Sequence, residues 1–358
     1  MSRNLTILLP FLLLAAGAAG AQFSPSLLPN GDFAGGLTGW SASVNDAKKL
    51  GAAVTVDPTP AAPAGPCLRL TLPGGPTAAA AGSPPAPVSG GQLYLVTFHF
   101  RSEGFSDTDL FAGVNLQYNL AWLDADKKQV GGSGGGLTYG AVPDWRFICA
   151  LCRAPARAAW LALSFAMSSD EKGRASSAWF DRVQVRPWPE LPSPSGKTWV
   201  YPVSEGIFDA TRFRRVADDD TPSGFAVIAN PKFTTTPGNL IGGLYLRTLP
   251  PGAYRAIFRL KIGALPAAPQ ALFSWDLNTG FAGQLNRGVF STADFTQAGV
   301  YQDFTARFVL PPPIPGKDCF VDPRVYWNGG VTAWADPVTI VQEKAFTSED
   351  LRALLDQP

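Results

Sequence analysis

Acid–base and nucleophilic chemistry has few places to sit in this 358-residue sequence. His99 is the only histidine, which excludes a three-histidine zinc site and leaves a Ser–His–Asp triad dependent on that one residue. The glutamates are Glu103, Glu171, Glu190, Glu205, Glu343 and Glu349, and none falls in an apolar strand pattern that would raise its pKa. Glycoside hydrolysis needs two carboxylates facing one cleft, and Asp276 with Asp322 is the one pair whose spacing could share a face. The run Asp218-Asp219-Asp220 reads as a solvated turn. No P-loop, H-E-x-x-H or G-x-S-x-G occurs, and no G-x-G-x-x-G sits between a strand and a helix. The balance is against catalysis.

The remaining chemistry-bearing groups alternate with apolar ones, so strands must position them. Thr97, His99 and Arg101 interleave with Val96, Phe98 and Phe100. Asn115, Gln117 and Asn119 interleave with Val114, Leu116, Tyr118, Leu120 and Trp122. If those two strands lie in one sheet, their polar residues form one patch. Further on, Arg255, Arg259 and Lys261 repeat the pattern, as do Ser274, Asp276 and Asn278, then Asp322, Arg324 and Tyr326. The alternative is an ordinary solvated sheet face, the usual state of antiparallel strands. Trp40, Trp179 and Trp334 are expected in cores and Trp188 at a domain junction. Trp145, Tyr139 and Trp160 are the candidates for exposed ring platforms.

The strand reading agrees with composition. There are 37 Gly and 33 Pro, aromatics reach 11%, and charged residues only 16%. This is the profile of short strands and many turns, with a hydrophobic fraction of 46% that excludes disorder. A helix is expected only at the C-terminus, where Thr347 can cap Ser348 to Leu355 with Asp350 at the capping-box position. Pro73 to Gly91 and Gly131 to Gly136 read as mobile surface loops. The net charge of +1 lacks the basic footprint that nucleic acid requires.

Met1 to Ala21 reads as a secretory signal peptide, with Arg3 in its n-region, an apolar stretch from Leu5 to Ala16 and an A-x-A site at Ala19-Gly20-Ala21. Its removal leaves equal numbers of basic and acidic side chains. No other stretch is long and apolar enough to span a membrane. A secreted, periplasmic or cell-surface location follows, and export permits a disulfide from Cys67 to Cys149 or Cys152, with buried free thiols as the alternative.

The Pro-rich segment 188–197 divides the mature chain into 22–187 and 198–345, followed by a tail at 346–358. The halves repeat in order. Tyr94 to Arg101 matches Tyr254 to Lys261, the strand opened by Asp144-Trp145 matches the one opened by Val300-Tyr301, and Ala178 to Val185 matches Ala333 to Ile340. Two tandem antiparallel β-sandwich domains are therefore expected.

Leu28-Pro-Asn-Gly-Asp-Phe33 followed by Gly39-Trp40, the strand Val114 to Trp122 with its charged hairpin to Val130, and the closing strand Ala178 to Val185 resemble carbohydrate-binding modules of the galactose-binding-like jelly-roll kind. The resemblance covers most of residues 27–187. The second half lacks the Asn-Gly-Asp-Phe motif and has only Glu205-Gly-Ile-Phe-Asp209 as a loose counterpart. The resemblance implies polysaccharide or surface-glycan binding on concave sheet faces through Thr97, His99, Arg101, Asn115, Gln117, Asn119, Arg259, Asp276, Asn278, Arg324 and Tyr326. Such side chains bond hydroxyl pairs, while rings pack on sugar C–H faces. It also implies a structural calcium at Asp32 and Asp181, with Asp336 as the second-half equivalent. Two other readings stay open: a structural or adhesive envelope protein with protein partners, and a glycan-cleaving enzyme using Asp276 and Asp322.

Overall fold

The computed structural model describes residues 24–58, 65–105, 113–137, 142–188, 196–203, 208–280, 284–313 and 319–355. The first half supplies β1 (Ser41–Asn45), β2 (Ala53–Asp57), β3 (Cys67–Leu72), β4 (Ala78–Gly82), β5 (Ala86–Pro87), β6 (Leu93–Glu103), β7 (Val114–Leu123), β8 (Gln129–Gly136), β9 (Val142–Arg153), β10 (Trp160–Ser169) and β11 (Ser176–Trp188). The second supplies β12 (Thr198–Tyr201), β13 (Arg214–Ala217), β14 (Phe225–Ala229), β15 (Gly238–Ile241), β16 (Gly252–Ile262), β17 (Ala271–Gly280), β18 (Gln284–Ser291), β19 (Gln302–Leu310), β20 (Cys319–Trp327), β21 (Ala333–Ala345) and the helix α1 (Ser348–Leu355).

These strands make two tandem antiparallel β-sandwiches. In the first, sheet A (β1-β4-β10-β7-β8, with β5 beside β10) faces sheet B (β2-β3-β11-β6-β9). In the second, sheet C (β13-β14-β21-β16-β19, with β12 beside β21) faces sheet D (β15-β20-β17-β18). Sheets B and C share one strand order, and the three matched sequence blocks fall on β6/β16, β9/β19 and β11/β21. The internal repeat is thus a repeat of topology. The alternating positions fill the cores as their parity requires: Phe98, Phe165 and Phe180 pack ring on ring in the first, and Tyr254 stacks on Phe308 in the second. The two equivalent tyrosines each tie their hydroxyl to the preceding turn. Tyr94 accepts from Ser89 N at 2.7 Å, and Tyr254 donates to the Pro250 carbonyl. Both closing strands slip register at an aspartate, Asp181 in β11 and Asp336 in β21, and both aspartates are fully buried.

The sandwiches lie side by side, with β8 against β18 and β9 against β19. Tyr118 donates its hydroxyl to Leu285 O across the junction at 2.9 Å, and Asn286 Nδ2 donates to Leu151 O at 2.8 Å. Leu93, Leu95, Cys149, Leu151 and Trp188 form a buried apolar cluster with Ala253 and Val309 of the second domain, capped by Leu354 of α1. The expected capping box is present: Asp350 N donates to Thr347 Oγ1 at 3.1 Å, and the Asp350 carboxylate accepts from Thr347 N at 3.0 Å.

Several expectations change. Pro73 to Gly91 is not one loose loop. It contains β4, which runs between β1 and β10 and buries Ala79 and Ala81 beneath the core rings. Gly131 to Gly136 belongs to β8. In both, tertiary fit overrides the low strand propensity of Ala and Gly, because a thin strand is what the space admits. The four cysteines are free thiols, so the Cys67 disulfide does not form. Cys67 on β3 is separated from β9 by β11 and β6, and Cys149 and Cys152, three apart on β9, face opposite sides of the sheet. Trp179 and Trp334 stand outside the cores. Trp179 lies between the Arg69 and Arg101 guanidinium groups (4.9 and 4.3 Å), and Trp334 lies below the Lys261 ammonium (5.2 Å). Asp218 opens a turn, but its carboxylate is not solvated: it receives Lys261 Nζ at 2.6 Å and the Tyr301 hydroxyl at 3.0 Å. Residues 1–21, expected as a signal peptide, Tyr139, Glu205 and residues 189–195 lie outside the described residues. Among the described residues no helix is long and apolar enough to cross a membrane.

Candidate functional site

On β7 the apolar positions point into the first core, so Asn115, Gln117 and Asn119 stand on the outer face of sheet A. Their neighbours across the register are small. Asn119 lies opposite Ser164 on β10 and Gly134 on β8, and Gln117 opposite Ala166 and Gly136. The amides therefore rise from a low floor.

On β17, Phe273, Trp275 and Leu277 pack against the second core, which turns Ser274, Asp276 and Asn278 to the outer face of sheet D. The register sets Ser274 beside Tyr326, Asp276 beside Arg324 and Asn278 beside Asp322 of β20. Arg324 grips Asp276 through two parallel bonds, Nε to Oδ1 at 2.6 Å and Nη2 to Oδ2 at 2.8 Å. Its guanidinium also lies 5.7 Å from the Tyr326 ring. Asp322 is buried and accepts from Gly243 N and Leu244 N, each at 2.9 Å. Burial pushes its carboxyl above the usual range despite those bonds. Asp276 and Asp322 do share a face, as their spacing allowed, but each is already committed to a donor of the protein.

The faces of sheets A and D meet at the domain junction. Arg287 of β18, paired in register with Asp276, reaches across to donate Nη2 to Asn119 Oδ1 at 2.7 Å. A cavity of about 640 Å³ lies there, between Asn119 and Gln129 on one side and Ser274, Asp276, Arg287 and Tyr326 on the other. A second cavity of about 760 Å³ shares Ser274 and Tyr326 with it and continues past Arg324 to Asn239, Asp209 and Arg212. Ligand pockets are commonly of this size. Sequence reasoning missed Arg287 and the bare glycines of β8, since nothing local signals that two sheet edges from different halves will adjoin.

The other predicted residues lie elsewhere. Thr97, His99 and Arg101 are on β6 in sheet B, on the opposite outer face of the sandwich from Asn115, Gln117 and Asn119, so the expected first-domain patch does not form. β6 and β7 are consecutive in the chain yet join different sheets, and parity along one strand does not report which sheet it joins. Thr97 is buried, Arg101 is held between Trp179 and Trp145, and His99 packs 5.2 Å from the Phe147 ring. Burial, then the Arg182 charge, push the His99 pKa down to about 4. Arg259 is on sheet C, 3.8 Å from Asp303 and over the Tyr301 ring, remote from Asp276, Asn278, Arg324 and Tyr326 on sheet D. Of the ring platforms, Trp160 is half-buried under the Lys127 ammonium, and Trp145 lines a separate apolar cavity of about 350 Å³ with Phe147, Leu310 and Phe320.

For calcium, the two halves differ. Asp336 gives Oδ1 to Val203 N at 2.7 Å and Oδ2 to Ser223 Oγ at 2.9 Å, so both oxygens face hydrogen-bond donors and the residue does not fit a cation. Asp181 is buried at its bulge beside the N-terminal segment, which is tied down by Val183 N to Gly31 O and Leu27 N to Val185 O, both at 2.8 Å. Asp32, exposed in the same segment, accepts from Ala34 N at 3.3 Å. Asp181 Oδ1 accepts from Arg182 N at 2.7 Å, so this carboxylate too meets a backbone donor. Among the described residues no group of three or more His, Cys, Asp or Glu side chains gathers at one point.

No protein-family model matches the sequence, and no curated protein matches it. Solved structures do. The tandem CBM22-1–CBM22-2 domain of Paenibacillus barcinonensis Xyn10C is 14% identical and covers 90% of this chain and 100% of its own, with a TM-score of 0.30. TmCBM61 in complex with β-1,4-galactotriose is 14% identical over 46% of this chain and 100% of its own, with a TM-score of 0.32. The bacteriophage CBA120 tailspike protein 4 enzymatically active domain is 14% identical over 46% of this chain, with a TM-score of 0.37, and this chain spans 21% of its length.

Proposed function

We propose that this protein is an exported, non-catalytic carbohydrate-binding protein, with residues 1–21 as its leader and a polysaccharide or surface glycan as its partner. The observation that carries the reading is the groove over sheets A and D. It offers amides, an oriented guanidinium and the Tyr326 ring in two cavities that share Ser274 and Tyr326. Sugars are held by that combination, hydroxyl pairs to the polar groups and C–H faces to a ring. The motifs that resemble carbohydrate-binding modules point the same way. Retention on immobilised neutral polysaccharides tests it: Tyr326→Ala is expected to weaken retention at least about tenfold, a loss near 1.4 kcal/mol. Equal retention of Tyr326→Ala and the unmodified protein would place the ligand elsewhere.

Glycan cleavage is the second reading, favoured by one observation: the raised Asp322 carboxyl is the state a proton donor needs. Asp322 lines the second cavity, but its carboxylate already accepts from two backbone donors, and Asp276 is paired with Arg324. Turnover of a polysaccharide that is lost in Asp276→Asn would promote this reading over the first.

Calcium remains a proposal for Asp32 and Asp181 alone. There it would fasten the N-terminal segment to β11. Thermal melting in excess calcium and in chelator is expected to differ by several degrees, since binding only the native state adds about 2.7 kcal/mol at a hundredfold excess over Kd. A midpoint that does not move rejects the site.

A further inference from the structure

We infer that the two domains share one binding groove, which takes a single extended, uncharged glycan chain laid across their junction. The inference rests on the carbohydrate reading above and goes beyond it in the length, charge and number of ligands.

The first argument is continuity. The cavity at the junction has walls from both domains, and it shares Ser274 and Tyr326 with the cavity that runs on to Asp209 and Arg212. From β7 to β8, and across the junction from β18 through β17 and β20 to β15, the groove crosses four hydrogen-bonded strand spacings and the β8–β18 packing gap. The four spacings alone, at about 4.8 Å each, give roughly 19 Å, several sugar units rather than one.

The second argument is the floor at the crossing. The outward positions of β8, those paired with Ala121, Asn119 and Gln117, are Gly132, Gly134 and Gly136. Side chains here would stand in the groove. At Gly134 the backbone itself demands glycine, with φ at +142° and Tyr118 O only 2.3 Å from where a Cβ would lie. At Gly132 it does not: an added Cβ would meet nothing closer than 3.5 Å. Folding tolerates a side chain at Gly132, and the space above it is left bare.

Rigidity is the third. Arg287 to Asn119, Tyr118 to Leu285 and Asn286 to Leu151 pin the two walls together, so the groove keeps its shape before a ligand arrives. The fourth is charge. Asp276 faces Arg324, and Asp209 lies 3.3 Å from Arg212, which leaves no run of one sign along the groove.

The test is calorimetric titration with short and long members of neutral oligosaccharide ladders from xylan, β-glucan and mannan, with polygalacturonate as the charged control. One chain per protein is expected, with affinity rising with length. Gly132→Leu is expected to lower long-chain affinity at least about tenfold. Asn119→Ala, which fills no space and removes one wall contact, is expected to act in the same direction, and melting curves verify that both variants fold. Two chains per protein, a preference for polygalacturonate, or unchanged long-chain affinity in both variants would overturn the shared groove while leaving carbohydrate binding standing. If the unmodified protein binds none of the ladders, both readings fall together.

Discussion

Arg324→Ala is expected to destabilise the second sandwich by about 3–5 kcal/mol, the range found when one member of a buried ion pair is removed. Asp276 is only 6% exposed, and two guanidinium nitrogens at 2.6 and 2.8 Å contribute to offsetting its desolvation. Without them a largely buried carboxylate loses its two charge-assisted bonds to Arg324. Asp276→Ala in the same background is expected to recover part of the loss, because the stranded charge goes with it. Urea denaturation of the two single variants and the double variant measures this directly. A single-variant cost below about 1 kcal/mol would class the pair with ordinary surface bridges, whose worth is small. It would also remove the reason for Arg324 to lie still beside Tyr326.

Acidification is expected to cost about 2–3 kcal/mol between pH 6.5 and 4, and His99 is the cause. Its imidazole lies against Phe147 near Arg182, with Nδ1 buried and lacking a hydrogen-bond partner, and its pKa falls to about 4. In the unfolded chain it titrates near 6.5, so within that window the unfolded state holds the extra proton. Stability is therefore complete above pH 6.5, declines as pH falls, and gains no further loss from this group below about 4. Asp322, with its raised carboxyl, acts in the opposite sense at the acid end. Since the sequence has no other histidine, His99→Gln isolates the effect. The difference between variant and parent in urea midpoint should vanish or reverse towards pH 4. A constant difference from pH 7 to pH 4 would show that His99 does not titrate as argued.

Alternation made most of the strands legible. Tyr94 to Arg101, Val114 to Trp122 and Tyr254 to Lys261 point their apolar members inward as period two requires, and the repeated blocks correspond to repeated strand order. The capping box at Thr347 was equally readable, because it is a contact between residues three apart. What parity does not carry is sheet membership. It sorts Thr97, His99 and Arg101 from their apolar neighbours, yet cannot tell that β6 and β7 part into opposite layers. Nor does composition distinguish a glycine-rich loop from β8, where only a long-range neighbour such as Tyr118 O beside Gly134 explains a glycine. Arg287 belongs to the groove through a neighbour 168 positions earlier in the chain, and no local signal encodes that distance.

The side-by-side packing has a consequence for how such a protein is made and kept soluble. Of the four sheets, each loses one open edge to its neighbour across the junction: β8 to β18 and β9 to β19. Half of the edges that could recruit a stray strand are thereby covered by a neighbouring strand. A sandwich released from its twin would bare two long strands and an apolar cluster at once. The tandem arrangement is in this sense its own protection against strand recruitment.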